Sequence, residues 1–251
     1  MSIFCSKNAR SRRSRAGGFS LIELAVVVTI IGIFAMLAFP EMGDASLERH
    51  TYDDAGQILG LVRAARTRAM GRGAAVTVTF DTVTAPAHGN YQMYEAVNPN
   101  PGGAVDLTAR VPNASCTIPS SGLATTMWTP GNPTNTFIDG VTLNGPYETN
   151  ANIVSRVVTF NNTGTPTVSG SVVALCFTPL GRVYFWQGGA GVAPTFTPGV
   201  PFLGTLAVDV ARLTAGQTTI ASGSIAGITR RIIVPSSGNA RIVSSLVPPP
   251  P

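Results

Sequence analysis

The sequence predicts an α+β protein: one long N-terminal helix packed on a small antiparallel β domain of two sheets. Three observations carry that reading. From Leu24 to Phe39 the chain has no charge, and from Tyr52 to Ala69 apolar side chains recur at helical spacing. From Ala74 onward the apolar period changes to two, the repeat of a strand with one buried face. Glycine (27) and proline (19) are abundant and charged residues make up only 12%, which favours a turn-rich β domain over a helix bundle. At 251 residues the chain has room for one globular domain beside the helix.

The helix begins in Gly18–Phe39, where Gly-Phe-Ser-Leu-Ile-Glu-Leu opens an apolar run. At about 1.5 Å per residue, Phe19 to Phe39 roughly crosses a hydrocarbon core of about 30 Å. Glu23 interrupts it, and a carboxylate near the end of such a span is costly unless it has a partner. An ordinary secretory signal is the rival reading, because Lys7, Arg10, Arg12, Arg13 and Arg15 precede the run. The run is at the upper limit for such a signal, however. Its best cleavage candidate, Gly43-Asp44-Ala45, is poor and follows Glu41. An ordinary signal also has no use for Glu23.

Pro40 has no N–H to donate and should bend or loosen a continuing helix. Past it, Ala55, Leu59, Val62, Ala65 and Ala69 fall at near-heptad spacing, with Tyr52 and Ile58 beside them. That is an amphipathic helix laid on a domain, ended by Gly71 and Gly73. Phe19 to about Met70 would make a helix roughly 75 Å long. Arg63, Arg66, Arg68 and Arg72 lie near its end. A stripe on nucleic-acid phosphates is one reading of them. A solvated or subunit-facing side near the favourable end of the helix dipole is the better one, because 100° per residue spreads the four over more than one face.

Strands follow. Ala74–Phe80 and Tyr91–Val97 alternate around a turn region containing Pro86, His88, Gly89 and Asn90 and predict a hairpin. Residues 98–152 are rich in Pro, Gly, Asn and Thr, with short candidates at Val105–Val111 and Phe137–Leu143; insertions of this type often carry partner contacts. Further strands are expected at Ile153–Phe160, Val172–Phe177, Arg182–Trp186, Thr205–Val210, Arg230–Val234 and Ala240–Val247, before a Pro tail. Pro-Leu-Gly at 179–181 reads as the turn between two of them.

Gly-Phe-Ser-Leu-Ile-Glu-Leu at 18–24 resembles the N-terminus of a type IV pilin or type II secretion pseudopilin. The resemblance implies removal of residues 1–18 by prepilin peptidase, with cleavage between Gly18 and Phe19 and methylation of the Phe19 amine. It implies a transmembrane half at 19–40, an amphipathic half at 41–73, a globular β domain at 74–247 and a tail at 248–251. Its helices pack in parallel in a filament, where the Phe19 amine of one subunit reaches Glu23 of another and sets axial register. Snorkelling of Glu23 to the interface is the plainer alternative. Pilins carry a proline where Pro40 stands, and helix melting there accompanies assembly. The implied location is the inner membrane, single-pass, with the domain in the periplasm and then in a pilus or pseudopilus. The implied partners are other minor and major pilins or pseudopilins and a tip adhesin.

The pI near 9.6 invites a nucleic-acid reading. Loss of residues 1–18 would take five of the 17 basic residues and none of the 12 acidic ones, leaving 12 against 12. The positive charge thus belongs to the leader, where it holds the N-terminus in the cytoplasm. Cys5 leaves with the leader, so Cys116 and Cys176 remain in the part facing an oxidising periplasm. They form either a disulfide or two buried free thiols, Cys176 lying in an apolar run.

The later segments RAARTRAMGRGAAVTV (63–78), FTPLGRV (177–183) and RRIIVPSSGNARI (230–242) narrow the resemblance to the GspH/FimT branch of minor pilins and pseudopilins. Members of that branch that bind DNA do so through a C-terminal Gly-Arg-x-Arg. Gly238-Asn239-Ala240-Arg241 lacks the first arginine, and the candidate contacts are Arg230, Arg231 and Arg241. Neutral mature charge weakens DNA as a partner, since phosphate neutralisation supplies most non-specific affinity.

Catalytic chemistry finds no foothold. The two histidines are His50, among Glu48, Asp53 and Asp54 on the helix, and His88 in a turn. No nucleophile elbow, P-loop lysine or Cys/His metal spacing occurs, the sole lysine being Lys7. The reading is a non-enzyme without metal or cofactor. A minor pilin that initiates or caps a type IV pilus comes first, an equivalent type II secretion pseudopilin second and a DNA-uptake receptor third.

Overall fold

The computed structural model describes residues 20–82, 89–98, 111–117, 128, 135–143, 153–160, 166–169, 172–197, 199–214, 217, 220 and 224–245, without the side chains of 37–47 and of a few strand residues. It is α+β with antiparallel sheets. Among the described residues there is one α-helix, α1, Leu21–Arg72, and the chain divides into two units, Met1–Ala45 and Ser46–Pro251.

In the first unit the helix opens with the Leu24 N–H donating to the Ser20 carbonyl at 3.1 Å. Its described apolar side chains stand largely exposed: Leu21 is 86% exposed and Met36 82%, with Ile22, Ile33 and Phe34 above 60%. Thr29 turns its hydroxyl back on the helix, donating to Ala25 O at 2.8 Å and Val26 O at 2.9 Å, so this polar group does not need water. Among the described residues no helix is long and apolar enough to cross a membrane. The apolar stretch with described side chains, 20–36, falls short of the about 20 residues a span requires. The leader and the Gly18–Phe19 junction lie outside the described residues. The helix assignment runs through Pro40, whose side chain also lies outside them.

In the second unit α1 buries Thr51, Asp54, Ala55, Ile58, Leu61, Val62, Ala65 and Ala69 along one stripe. Leu59, expected on that stripe, is only half-buried at its edge, and Ile58 and Leu61 fill the place instead. Tyr52 is 54% exposed. The helix ends at Arg72, and Gly73 follows at φ +68°, the left-handed conformation that closes a helix at little cost for a residue without Cβ.

Two sheets enclose that stripe. The first contains β1 (Val76–Asp81), β2 (Asn90–Asn98), β3 (Val111–Pro112), β4 (Asn135–Thr142), β7 (Val172–Phe177) and β8 (Val183–Gly188), in the order β3-β2-β1-β7-β8 with β4 also paired to β2. The second contains β5 (Ile153–Phe160), β6 (Pro166–Ser169), β9 (Thr205–Arg212), β10 (Thr229–Pro235) and β11 (Arg241–Ser245), in the order β11-β10-β9-β5-β6. The chain therefore visits the first sheet, the second, the first and the second again. Alternation decides what faces the helix: Val76, Val78 and Phe80 from β1, Tyr91 and Met93 from β2, Val208 and Val210 from β9, Ile232 and Val234 from β10. The opposite face of the first sheet carries its own apolar cluster, with Tyr94, Trp128, Trp186 and Phe196 around Cys116 and Cys176. Of the expected strand Val105–Val111 only Val111 is described, as the start of β3; β6, which begins on Pro166, was not expected.

Candidate functional site

The arginines at the helix end are the first candidates. Arg68 and Arg72 stand one turn apart, and both donate from Nε to the Glu95 carboxylate, Arg68 to Oε2 and Arg72 to Oε1 at 2.8 Å. Glu95 occupies the inward phase of β2, where Tyr91, Met93 and Val97 are apolar, and it is 2% exposed. A carboxylate there requires compensation, and two cations from the helix provide it. Arg63 spends its guanidinium on the Ala240 carbonyl, from Nε at 3.2 Å and Nη2 at 3.0 Å, tying the helix to the turn before β11. Three of the four arginines therefore pin the helix to the sheets. Arg63 and Arg72 stay exposed, as expected of a solvated side, but their guanidinium groups are committed to protein partners, which argues against a phosphate track.

The C-terminal candidates separate as well. Asp209 on β9 lies directly between Arg156 on β5 and Arg231 on β10 in the strand register. Its fully buried carboxylate accepts from Arg231 Nε at 2.6 Å and Nη2 at 2.9 Å, and from Arg156 Nε at 2.9 Å. Such a bidentate, charge-assisted contact is among the stronger hydrogen-bond arrangements in proteins. Arg156 Nη1 also donates to the Ile220 carbonyl at 3.1 Å, which fixes the β9–β10 connection over the outer face of the second sheet. Arg230, one residue away, points to the helix side. Its guanidinium lies 5.5 Å over the Tyr52 ring and donates to Ser244 Oγ at 2.6 Å, with Glu48 at 3.8 Å. Glu48 meanwhile accepts from the Ile228 N–H at 2.8 Å. Of the three candidate DNA contacts only Arg241 is exposed.

Cys116 and Cys176 are bonded, with Cα atoms 6.0 Å apart, and join segments 60 residues apart in sequence. The bond fastens residues 113–117 to β7, and Trp128 docks on it by donating from Nε1 to the Cys116 carbonyl at 3.1 Å. A cavity of about 580 Å³ opens between that segment and the β7–β8 turn, with Arg182 and Tyr184 on its wall. The turn is held by Thr178, whose N–H donates to the Arg182 carbonyl at 2.9 Å, and by Gly181 at φ +78°. Tyr91, fully buried between helix and sheet, has its hydroxyl pKa pushed well above the ordinary value of 10, chiefly by burial. Asp54 adds to the rise and a hydrogen bond with Ser155 works against it. Among the described residues no three His, Cys, Asp or Glu side chains form a metal-holding cluster.

What remains is the N-terminal segment, where an exposed apolar helix carries Glu23 in its first turn. Residues 13–39 match the prokaryotic N-terminal methylation motif. That motif supports a type IV pilin-like or pseudopilin protein, processed by prepilin peptidase, anchored in a membrane and assembled with other pilins. It points to a structural rather than an enzymatic role. Neither the curated proteins nor the solved structures gave a match to this chain.

Sequence reasoning missed Glu95 and Asp209. The signal for Glu95 was present, an acid in the apolar phase of an alternating strand. Asp209 offered less, because its partners come from strands about 20 to 50 residues away in sequence, and only the register aligns them.

Proposed function

We propose that this chain is a minor pilin that helps to initiate or cap a type IV pilus, held in the inner membrane by its N-terminal helix with the β domain in the periplasm. The observation that carries the proposal is the methylation motif at residues 13–39, which includes the Gly18–Phe19 junction and Glu23. The bare apolar surface of α1 in the first unit supports it, since such a surface needs lipid or neighbouring helices as cover. Glu23, inserted among parallel helices, pairs with the Phe19 amine of a neighbouring subunit and fixes its axial position. The equivalent type II secretion pseudopilin remains second, and neighbouring genes separate the two. The DNA-uptake receptor drops further behind, because Arg231 is committed to Asp209 and Arg230 to the helix side.

Glu23→Ala tests the proposal. The variant should accumulate in membranes at the normal level and be lost from sheared filaments by roughly tenfold or more, the factor expected when about 1.4 kcal/mol of pairing is removed. Unchanged incorporation of the variant would refute the register role.

A further inference from the structure

The cavity of about 580 Å³ beside the disulfide has one wall held covalently and the other held by a turn. Residues 113–117 form the first wall, fastened to β7 through Cys116 and Cys176. The second is the turn Thr178–Arg182, where the Thr178 hydroxyl accepts from the Arg182 N–H at 3.1 Å. Val183 and Phe185 pack into the helix-side core, so alternation turns Arg182 and Tyr184 to the cavity.

Among the described residues on these walls, Arg182 is the sole charged group. It is exposed, and neither its guanidinium nor the Tyr184 hydroxyl makes a hydrogen bond or ion pair among the described residues. Arg68, Arg72, Arg156 and Arg231 are different, each spent on a buried carboxylate. One guanidinium matches one carboxylate, in charge and in the two parallel N–H···O bonds it can donate. A doubly charged phosphate would keep half its charge unbalanced.

The remaining surface fits more than a bare acid. A water takes about 30 Å³ of liquid volume, so a carboxylate alone leaves most of the cavity unfilled. Pro179 and Leu180 give an apolar rim, Leu180 being 86% exposed on the turn. The facing wall offers backbone: Ala114 is exposed, and its N–H and carbonyl take no hydrogen bond among the described residues. A peptide carries the complementary set, namely a carboxylate, an aliphatic side chain and amide groups.

We propose that this cavity binds an acidic peptide segment, an aspartate or glutamate flanked by apolar residues. The carboxylate sits on Arg182 and the apolar neighbour on Pro179 and Leu180. The volume falls within the range of ligand pockets, about 300–1,000 Å³. The site belongs to the β domain alone and does not depend on the filament reading.

The test uses the full chain in detergent and ligand-observed NMR with blocked tripeptides. Acetyl-alanyl-glutamyl-leucinamide is the probe, its glutaminyl counterpart is the uncharged control, and acetate and inorganic phosphate are the bare anions. The glutamyl peptide should saturate with a Kd of about 1 mM or tighter. The glutaminyl peptide should bind about threefold to tenfold more weakly, the loss of one partly exposed ion pair. Arg182→Gln should weaken the glutamyl peptide by about that factor and leave the glutaminyl peptide unchanged. Its melting temperature should match the parent's, because the turn is held by the Arg182 backbone. Leu180→Ser should weaken both peptides. Absence of saturation by the glutamyl peptide would overturn the assignment, as would equal binding of the two peptides or binding indifferent to Arg182→Gln. Acetate or phosphate binding as tightly as the glutamyl peptide would also overturn it, by reducing the cavity to a bare anion site.

Discussion

Arg231 clasps Asp209 with two of its nitrogens, at 2.6 and 2.9 Å, on the face of the second sheet turned away from the helix. Both residues are inaccessible, Asp209 fully and Arg231 to 8%. A second arginine, Arg156, closes the carboxylate from the other neighbouring strand. The guanidinium that sequence would offer to a phosphate at Arg231 is thus paired inside the domain. Glu95 repeats the arrangement at the first sheet with Arg68 and Arg72.

The Asp209 rung should be a point of failure for the fold. Asp209→Ala leaves two arginines facing one another in a buried site, and breaking a buried pair typically costs about 3–5 kcal/mol. Urea melts of the purified chain should show that loss, with the mutation of Asp139, an exposed carboxylate, as a near-neutral control. Equal stability of the two variants would contradict the role given to the rung.

For the same reason, duplex DNA should bind no more tightly than the non-specific range of about 10⁻⁴–10⁻⁶ M at physiological salt. Titration at two salt concentrations checks this. Submicromolar binding that Arg241→Ala abolishes would return the uptake receptor to first place.

Alkaline pH should destabilise the domain through Tyr91. Its folded pKa is raised above the ordinary value of 10, so the neutral hydroxyl is favoured by folding. The contribution is fully present below about pH 10 and is lost as pH climbs above that value. Tyr94 is shifted in the same direction, also by burial. Melting temperature should therefore fall between about pH 9.5 and 11. Tyr91→Phe should flatten part of that fall, and an unaltered profile in the variant would rule Tyr91 out as its source.

The disulfide closes a loop of 60 residues, for which chain entropy gives about 4 kcal/mol. Cys116→Ser with Cys176→Ser should lower stability by an amount of that order. It should also expose Trp128, whose indole N–H rests on the Cys116 carbonyl, to acrylamide quenching. Unchanged quenching would mean that Trp128 is held by other contacts.

Much of this fold is legible in the chain. Val172–Phe177 and Ile153–Phe160 are bounded by turn residues and match β7 and β5 at both ends. Thr205–Val210 stops two residues short of β9, because Arg212 continues the ladder without an apolar signal. β6 was illegible for a physical reason: it is an edge strand that starts on proline and has little apolar alternation. The helix stripe was placed slightly off, with Leu59 in the position that Ile58 and Leu61 take, since several apolar residues in succession fit more than one phase. The arginines misled most. Their number and crowding were visible, but whether they face solvent, phosphate or a buried acid depends on strands that only tertiary structure brings near.

The most direct test of the filament-subunit reading is the intact mass of the chain extracted from its own membranes. Processing at the motif gives a chain that begins at Phe19, lacks residues 1–18 and carries one added methyl. A soluble product cut at or beyond Ala45, or a membrane form that keeps its leader without methylation, would contradict it.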